Sequence, residues 1–427
     1  MKREIVRSSR IQEEYTVVRH PSGLTILLCP MEGFSSSYAM FTTKYGSVDT
    51  SFKRAGDKEF FEIPAGTAHY LEHKMFESED GDAFARFAKT GASANAFTSF
   101  DKTAYLFACS DQFEESLEIL LDFVSTPYFT PENVAKEQGI IGQEIRMYED
   151  NADWRVLFNL LEALYINHPV RIDVAGTVES ISHITDQVLY RCYNTFYHPS
   201  NMVLAIAGNF ETEKALAVVD KVLKPGQNVE IIRKAVEEPQ DLAKEYVEQN
   251  LPVATPLFAI GFKNKSQGPR ENFGNMVLDE MLIDIISGET TPLYKGLYQD
   301  GLINAGLSGE VMASRDYICT IFEGESRAPK EVYRRLLKEI ERVRREGIEE
   351  DLFRQVKKVT YGRYIGMYSK PEAIASVMTN TYFANMGLYD LLDVAADVTK
   401  EQLERRLQET LAQGALSVVC AQPGQGE

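Results

Sequence analysis

Apolar residues in the first part of the chain come in short runs rich in β-branched and aromatic types. Residues 14–20 (EYTVVRH), 23–30 (GLTILLCP) and 36–43 (SSYAMFTT) predict three strands, and Pro21-Ser22-Gly23 supplies a turn between the first two. The pattern then turns helical, with helices expected over 65–77, 81–90 and 111–125. In the last of these, Phe113, Leu117, Leu120, Leu121 and Val124 recur at steps of three and four, which puts them on one face. Between the last two helices, 92–98 (SANAFTS) and 103–109 (TAYLFAC) read as a hairpin. Pro131 opens a long helical stretch to about Tyr165, with Glu132 as an acid in its first turn.

The second half repeats this grammar. Thr185 starts a helix that leads to the strand Met202-Val203-Leu204-Ala205-Ile206-Ala207. Thr399 starts another that leads to Leu416-Ser417-Val418-Val419-Cys420, at an offset of 214 residues (399 − 185). An offset of half the chain indicates duplicated domains rather than a solenoid. The run 329–350 places Val332, Leu336, Ile340 and Val343 on one helical face and charge on the other, so it is expected to cover a second core. Residues 222–250 are polar and charged and read as a linker. The resulting division is 1–221, a linker 222–250, and 251–427. The class is α+β, because antiparallel hairpins alternate with grouped helices.

Composition narrows the classes. Of 427 residues, 44% are hydrophobic and 25% charged, which excludes disordered and fibrous chains. The 45 Lys and Arg stand against 63 Asp and Glu, a net charge of −18, which argues against nucleic acid or an anionic membrane as partner. Neither a secretory signal nor a transmembrane run is expected. The five cysteines (Cys29, Cys109, Cys192, Cys319, Cys420) lie far apart and form no CxxC motif, as in a reduced, cytoplasmic protein.

One segment carries chemistry. His69-Tyr70-Leu71-Glu72-His73 is an H-x-x-E-H sequence inside a predicted helix, so both imidazoles share a face and can reach one metal ion. Two imidazoles suit Zn²⁺, which takes a third protein ligand and water in catalytic sites. Glu72 projects toward the same region, where it can take a proton from water on the metal. The H-x-x-E-H pattern is a known metallopeptidase signature; the alternative is that these side chains only decorate a surface helix. Candidates for the third ligand are Glu137 and Glu144, two turns apart on one helix face, where one can ligate and the other support from behind; the alternative is that both are solvated helix carboxylates. His20, His168, His183, His198 and Trp154 read as structural.

These residues resemble the pitrilysin/insulinase-type inverted-zincin (HxxEH) metallopeptidases, which include the mitochondrial processing peptidases, and within them bacterial cytoplasmic members of the YmfH type. Glu144 falls 71 residues after His73 (144 − 73) and Glu137 seven before Glu144, as in that family. The resemblance implies zinc ligation by His69, His73 and Glu144, a general base at Glu72 and a supporting catalytic role for Glu137. Gly91 to Thr98, followed by Thr103 and Tyr105, is similar to the family's substrate-binding edge strand, which assigns Asn95, Ala96, Phe97 and Thr98 to peptide capture by β-augmentation. Two homologous domains are implied, each an antiparallel sheet packed with helices, forming a clamshell of the LuxS/processing-peptidase type.

The duplication carries the chemistry in one half only. At the 214-residue offset, His69, Glu72 and His73 fall on Ile283, Ile286 and Ser287, and Glu144 on Lys358. The resemblance also brings a departure, since Tyr298 and Ala305 stand where many members have an arginine and a tyrosine that hold the substrate; Tyr294 and Arg315 are candidates to replace them. Two functions follow as expectations. One is a zinc-dependent endopeptidase that cleaves short or unfolded peptides by Glu72-assisted attack of zinc-bound water. The other is a zinc-binding but weakly active peptide-binding or assembly subunit that needs a partner chain. The expected assembly is a homodimer, or a heterodimer with a zinc-less homologue, and the acidic charge favours peptides with basic residues.

Overall fold

In the computed structural model, which describes residues 1–79, 81–304 and 306–422, the chain forms two units built on the same scheme. The first comprises Met1–Ile145, Asp173–Ala235 and Met367–Phe383. Its seven-stranded sheet runs in the order Lys2–Arg7, Glu14–Arg19, Thr25–Pro30, Met202–Gly208, Ser37–Thr43, Thr103–Cys109, Ser93–Thr98. All neighbours are antiparallel except Met202–Gly208 beside Thr25–Pro30, which are parallel. Six of these strands lie within a residue or two of their expected positions. Tyr15, Val18, Ile26, Leu28 and every residue of Met202–Gly208 are buried, as expected of strands covered on one or both faces.

The helix Pro371–Phe383 completes this unit although it lies far along the chain. Tyr382 exchanges a 2.7 Å hydrogen bond with Thr25, and Lys44 Nζ donates to the carbonyl of Phe383 at 3.1 Å.

The second unit comprises Arg146–Ile172, Val236–Gly366 and Ala384–Glu427. Its five-stranded sheet runs Tyr246–Asn250, Gly414–Cys420, Leu257–Asn264, Ile318–Glu325, Leu307–Ala313, again with one parallel pair, the first two. The helix Pro329–Glu346 buries Val332, Leu336, Ile340 and Val343 in a core with Phe258, Phe262 and Leu416, as its apolar stripe predicts. The helix Ala152–Leu164 lies on this sheet so closely that a Cβ at Gly261 would stand 2.7 Å from Leu164 Cδ1. Within it Trp154 stacks on Tyr148 at 4.4 Å, a packing role.

One expectation needs correcting. The helical stretch from Pro131 does not run unbroken to Tyr165 but divides into Pro131–Glu149 and Ala152–Leu164. Asn151 leaves the helical conformation, and its side chain accepts the Trp154 N–H at 3.0 Å, which caps a new helix. The duplicated starts hold in detail, since Thr185 and Thr399 each cap a helix by accepting the N–H three residues on. The polar segment 222–250 contributes the strands Ile231–Arg233 and Tyr246–Asn250, one to each unit. All five cysteines are buried and none is in a disulfide, and His168 and His198 accept backbone N–H groups at the starts of short 3₁₀ turns.

Candidate metal centre

The centre lies in the first unit, where the helix Thr67–Met75 meets Pro131–Glu149. Gly66 opens the first helix at φ +87°, a conformation that costs glycine little, and a Cβ there would stand 2.4 Å from the carbonyl oxygen of Ala175. Tyr70 is fully buried and its hydroxyl donates to the carbonyl of Val134, which ties the two helices together. The four-residue step between His69 and His73 then brings their rings to 4.6 Å, both toward Glu144.

His69 Nε2 lies 3.7 Å from Glu144 Oε1 and His73 Nε2 lies 3.4 Å from Glu144 Oε2. One ligand atom from each of the three residues falls within 4.8 Å of the others, the only such group among the described residues. Ligands about 2.1 Å from a tetrahedral zinc would stand roughly 3.4 Å apart, so these donors fit that ion. Two imidazole nitrogens and one carboxylate, with a fourth direction left for water, are the donor set of a catalytic zinc.

The electrostatics are those of a site prepared for a cation. Burial, reinforced by the charge of His73, depresses the pKa of His69 to about 4 and keeps it neutral. Burial also opposes a charge on His73, but hydrogen bonds to Glu137 and Glu144 outweigh it and raise its pKa to about 10. A cation at this point, whether a proton on His73 or a metal ion held by His69, His73 and Glu144, would balance the carboxylates.

Glu72 is 9% exposed and its carboxylate accepts a 2.7 Å hydrogen bond from the Thr98 hydroxyl. Burial raises its pKa above the usual carboxylate range, while the bond from Thr98 opposes the rise. Glu137 accepts from His73 Nδ1 at 3.1 Å, and that bond holds its carboxyl below the usual range. All five residues singled out around the motif thus come together. Asn95, Ala96, Phe97 and Thr98 lie on the strand Ser93–Thr98, which among the described residues pairs only with Thr103–Cys109 and forms the edge of its sheet.

The contact between Thr98 and Glu72 was not foreseen. Alternation along the strand was the available signal, since exposed Asn95 and Phe97 alternate with half-buried Ala96 and Thr98. Lys74 was also missed, because nothing local marks a lysine that ends up wholly buried. In the second unit Tyr298 is 58% exposed near the end of the helix Pro292–Gln299, Tyr294 packs against the core, and Arg315 Nε bonds Asp316 at 3.2 Å. Ala305 lies outside the described residues.

Known proteins are similar to this chain over both of its halves. Residues 61–178 match Insulinase (Peptidase family M16), and residues 183–360 match the Peptidase M16 inactive domain. The chain is 39% identical to the uncharacterized zinc protease YmfH of Bacillus subtilis over 98% of its own length and 99% of that protein's. It is similar to the solved structure of an M16-like chain from Alicyclobacillus acidocaldarius, with a TM-score of 0.92 and 36% identity over 97% of this chain and 99% of that one. A structure described as a peptidase M16 inactive domain, from Pseudomonas fluorescens, shares the fold at a TM-score of 0.76 and 15% identity, over 99% and 98% of the two chains. Both halves of the sequence and both units of the fold are accounted for in this way, and the chain belongs to the insulinase family, peptidase family M16.

Proposed function

We propose that the chain is a zinc-dependent endopeptidase that cleaves short or unfolded peptides. The observation that carries the reading is the convergence of His69, His73 and Glu144 beside a buried carboxylate, Glu72, that takes no part in the donor set. A purely structural metal site has no use for such a base. Zinc, when bound, supplies a Lewis acid for the scissile carbonyl and acidifies water. His69, His73 and Glu144 would hold it. Glu72 then accepts the proton of the attacking water and returns it to the leaving amine. Its raised pKa suits both duties, because a base too acidic would take the proton weakly.

The open edge of the strand Ser93–Thr98 supports peptide capture through backbone hydrogen bonds, with Asn95, Ala96, Phe97 and Thr98 as the contacts. Among the described residues no helix is long and apolar enough to cross a membrane, and a cytoplasmic site of action is part of the same reading. The halves 1–221 and 251–427 then divide the work into zinc chemistry and substrate enclosure.

A second reading is a zinc-binding but weakly active subunit, functioning as a homodimer or with a zinc-less homologue. It is favoured by Tyr298, which is exposed and offers no cation where many members of the family have an arginine. Zinc content by mass spectrometry together with cleavage of a quenched fluorescent peptide library separates the two. In the peptidase, wild type and Glu72→Gln both retain zinc and only the wild type cuts. Equal, negligible cleavage by both zinc-loaded proteins would leave the second reading.

A further inference from the structure

Lys74 follows His73 in the 67–75 helix, and its side chain has no exposed surface. An ammonium buried to this extent costs several kcal/mol unless it is paired. It has two carboxylate partners. Glu77, three residues on, bonds it directly, and Glu137 Oε2 from the helix Pro131–Glu149 stands 3.9 Å away. The other oxygen of Glu137 faces His73 Nδ1 at 3.1 Å. One carboxylate is therefore shared between two consecutive residues of the helix, with one oxygen on the imidazole and the other toward the ammonium.

This division has a consequence for the metal ligand. A carboxylate held at one oxygen only can rotate and leave the imidazole. With the Lys74 ammonium 3.9 Å from its other oxygen, it keeps an acceptor in front of Nδ1, so that Nδ1 keeps its proton and Nε2 is the nitrogen that would give its proton up to a metal. We infer that Lys74 is a positioning residue of the metal centre, which acts through Glu137 to fix the ring orientation and tautomer of His73. Glu77 supplies the counter-charge that lets Lys74 be buried, and it touches neither His73 nor Glu137 in this chain of contacts. The inference rests on the metal reading of His69, His73 and Glu144.

The test is zinc affinity of the full chain, measured by competition with a chromophoric chelator, for wild type, Lys74→Met, Glu137→Gln, the double variant and Glu77→Gln. Lys74→Met is expected to weaken binding about 10- to 100-fold, the usual effect of removing a group behind a ligand. The double variant should bind within about threefold of Glu137→Gln alone, because on this inference Lys74 acts through Glu137. Glu77→Gln should stay within about threefold of wild type. Lys74→Gln, which keeps a polar end in the same place, is measured alongside so that the result does not depend on one variant folding. Unchanged affinity in both folded Lys74 variants would overturn the inference. So would a double variant showing the product of the two single losses, or a loss in Glu77→Gln as large as that in Lys74→Met. A wild-type chain that binds no zinc would overturn the metal reading itself, and this inference with it.

Discussion

The Thr98 hydroxyl donates a 2.7 Å hydrogen bond to the Glu72 carboxylate, so the edge strand meets the helix of the candidate metal ligands at the proposed base. A peptide docked along that strand would lie beside the group that moves its proton. Thr98→Val keeps the shape of the side chain and removes the donor. A hydrogen bond to a charged group contributes about 1.5–3 kcal/mol, so kcat/KM is expected to fall roughly 10- to 100-fold with zinc content unchanged. The pH profile gives the sign. Thr98 lowers a pKa that burial raises, so its loss moves the Glu72 pKa further up. The proposed base has to be deprotonated to take the proton of water, so the acid limb of kcat/KM should shift to higher pH. A limb that stays in place would show that Thr98 does not act through Glu72.

Gly66→Ala tests how the metal helix is started. A Cβ at this position would stand 2.4 Å from the Ala175 carbonyl oxygen, and φ is +87°. Relief requires either the helix or the 173–176 turn to move. The expected loss of stability is about 1–3 kcal/mol, read as a lower midpoint of urea unfolding. Zinc affinity should fall as well, because His69 lies three residues into the helix that moves.

Much of this was legible in the chain. The H-x-x-E-H spacing is a local property of a helix, and Glu137 and Glu144 lie two turns apart on another, so the pattern puts each set on one face; that the two faces meet was implied only by the family resemblance. The cap residues Thr185 and Thr399 were equally local. What the pattern could not say is which sheet a helix covers. The helices Ala152–Leu164 and Pro371–Phe383 show this, since the first packs in the second unit and the second in the first, through contacts with strands far away in the sequence. Lys74 illustrates the same limit, since one of its two carboxylate partners, Glu137, comes from a distant helix.

The second unit has a buried ion pair of its own. Arg406 donates two hydrogen bonds, of 2.7 and 2.6 Å, to the carboxylate of Asp279, and both side chains are almost inaccessible. Burial pushes the Asp279 pKa up while Arg406 opposes it, and Asn264 Nδ2 also reaches the same carboxylate, at 3.4 Å. Asp279→Ala would leave the guanidinium buried without its partner, which is expected to cost about 3–5 kcal/mol. Replacing both residues with leucine should cost less than the single change, because no uncompensated charge remains. Chemical denaturation of the two variants checks the order, and a single variant as stable as the wild type would show that water reaches the Arg406 site.

Glu238 gives a stability prediction with a defined pH window. Its carboxylate accepts backbone N–H groups of Ile166, Asn167 and His168 at 2.9, 2.7 and 2.7 Å, and Lys263 Nζ at 2.8 Å. Burial works against the charge, but Lys263 and the three N–H groups prevail and hold the pKa below the ordinary carboxylate value. A carboxyl with a depressed folded pKa contributes stability that is fully present above the unfolded value, about 4.3, and is lost as pH falls through the folded value. Glu238→Gln removes the charge and leaves the Lys263 ammonium, only 2% exposed, without it. At neutral pH the variant should be less stable by about 1.5–3 kcal/mol. Below the folded pKa the wild-type side chain is itself neutral, so the gap between the two proteins should narrow steadily as the pH is lowered from 5 through 3. Thermal unfolding across that range measures the gap directly; a difference that stayed constant with pH would mean that shape, rather than charge, holds Ile166 to His168 against Glu238.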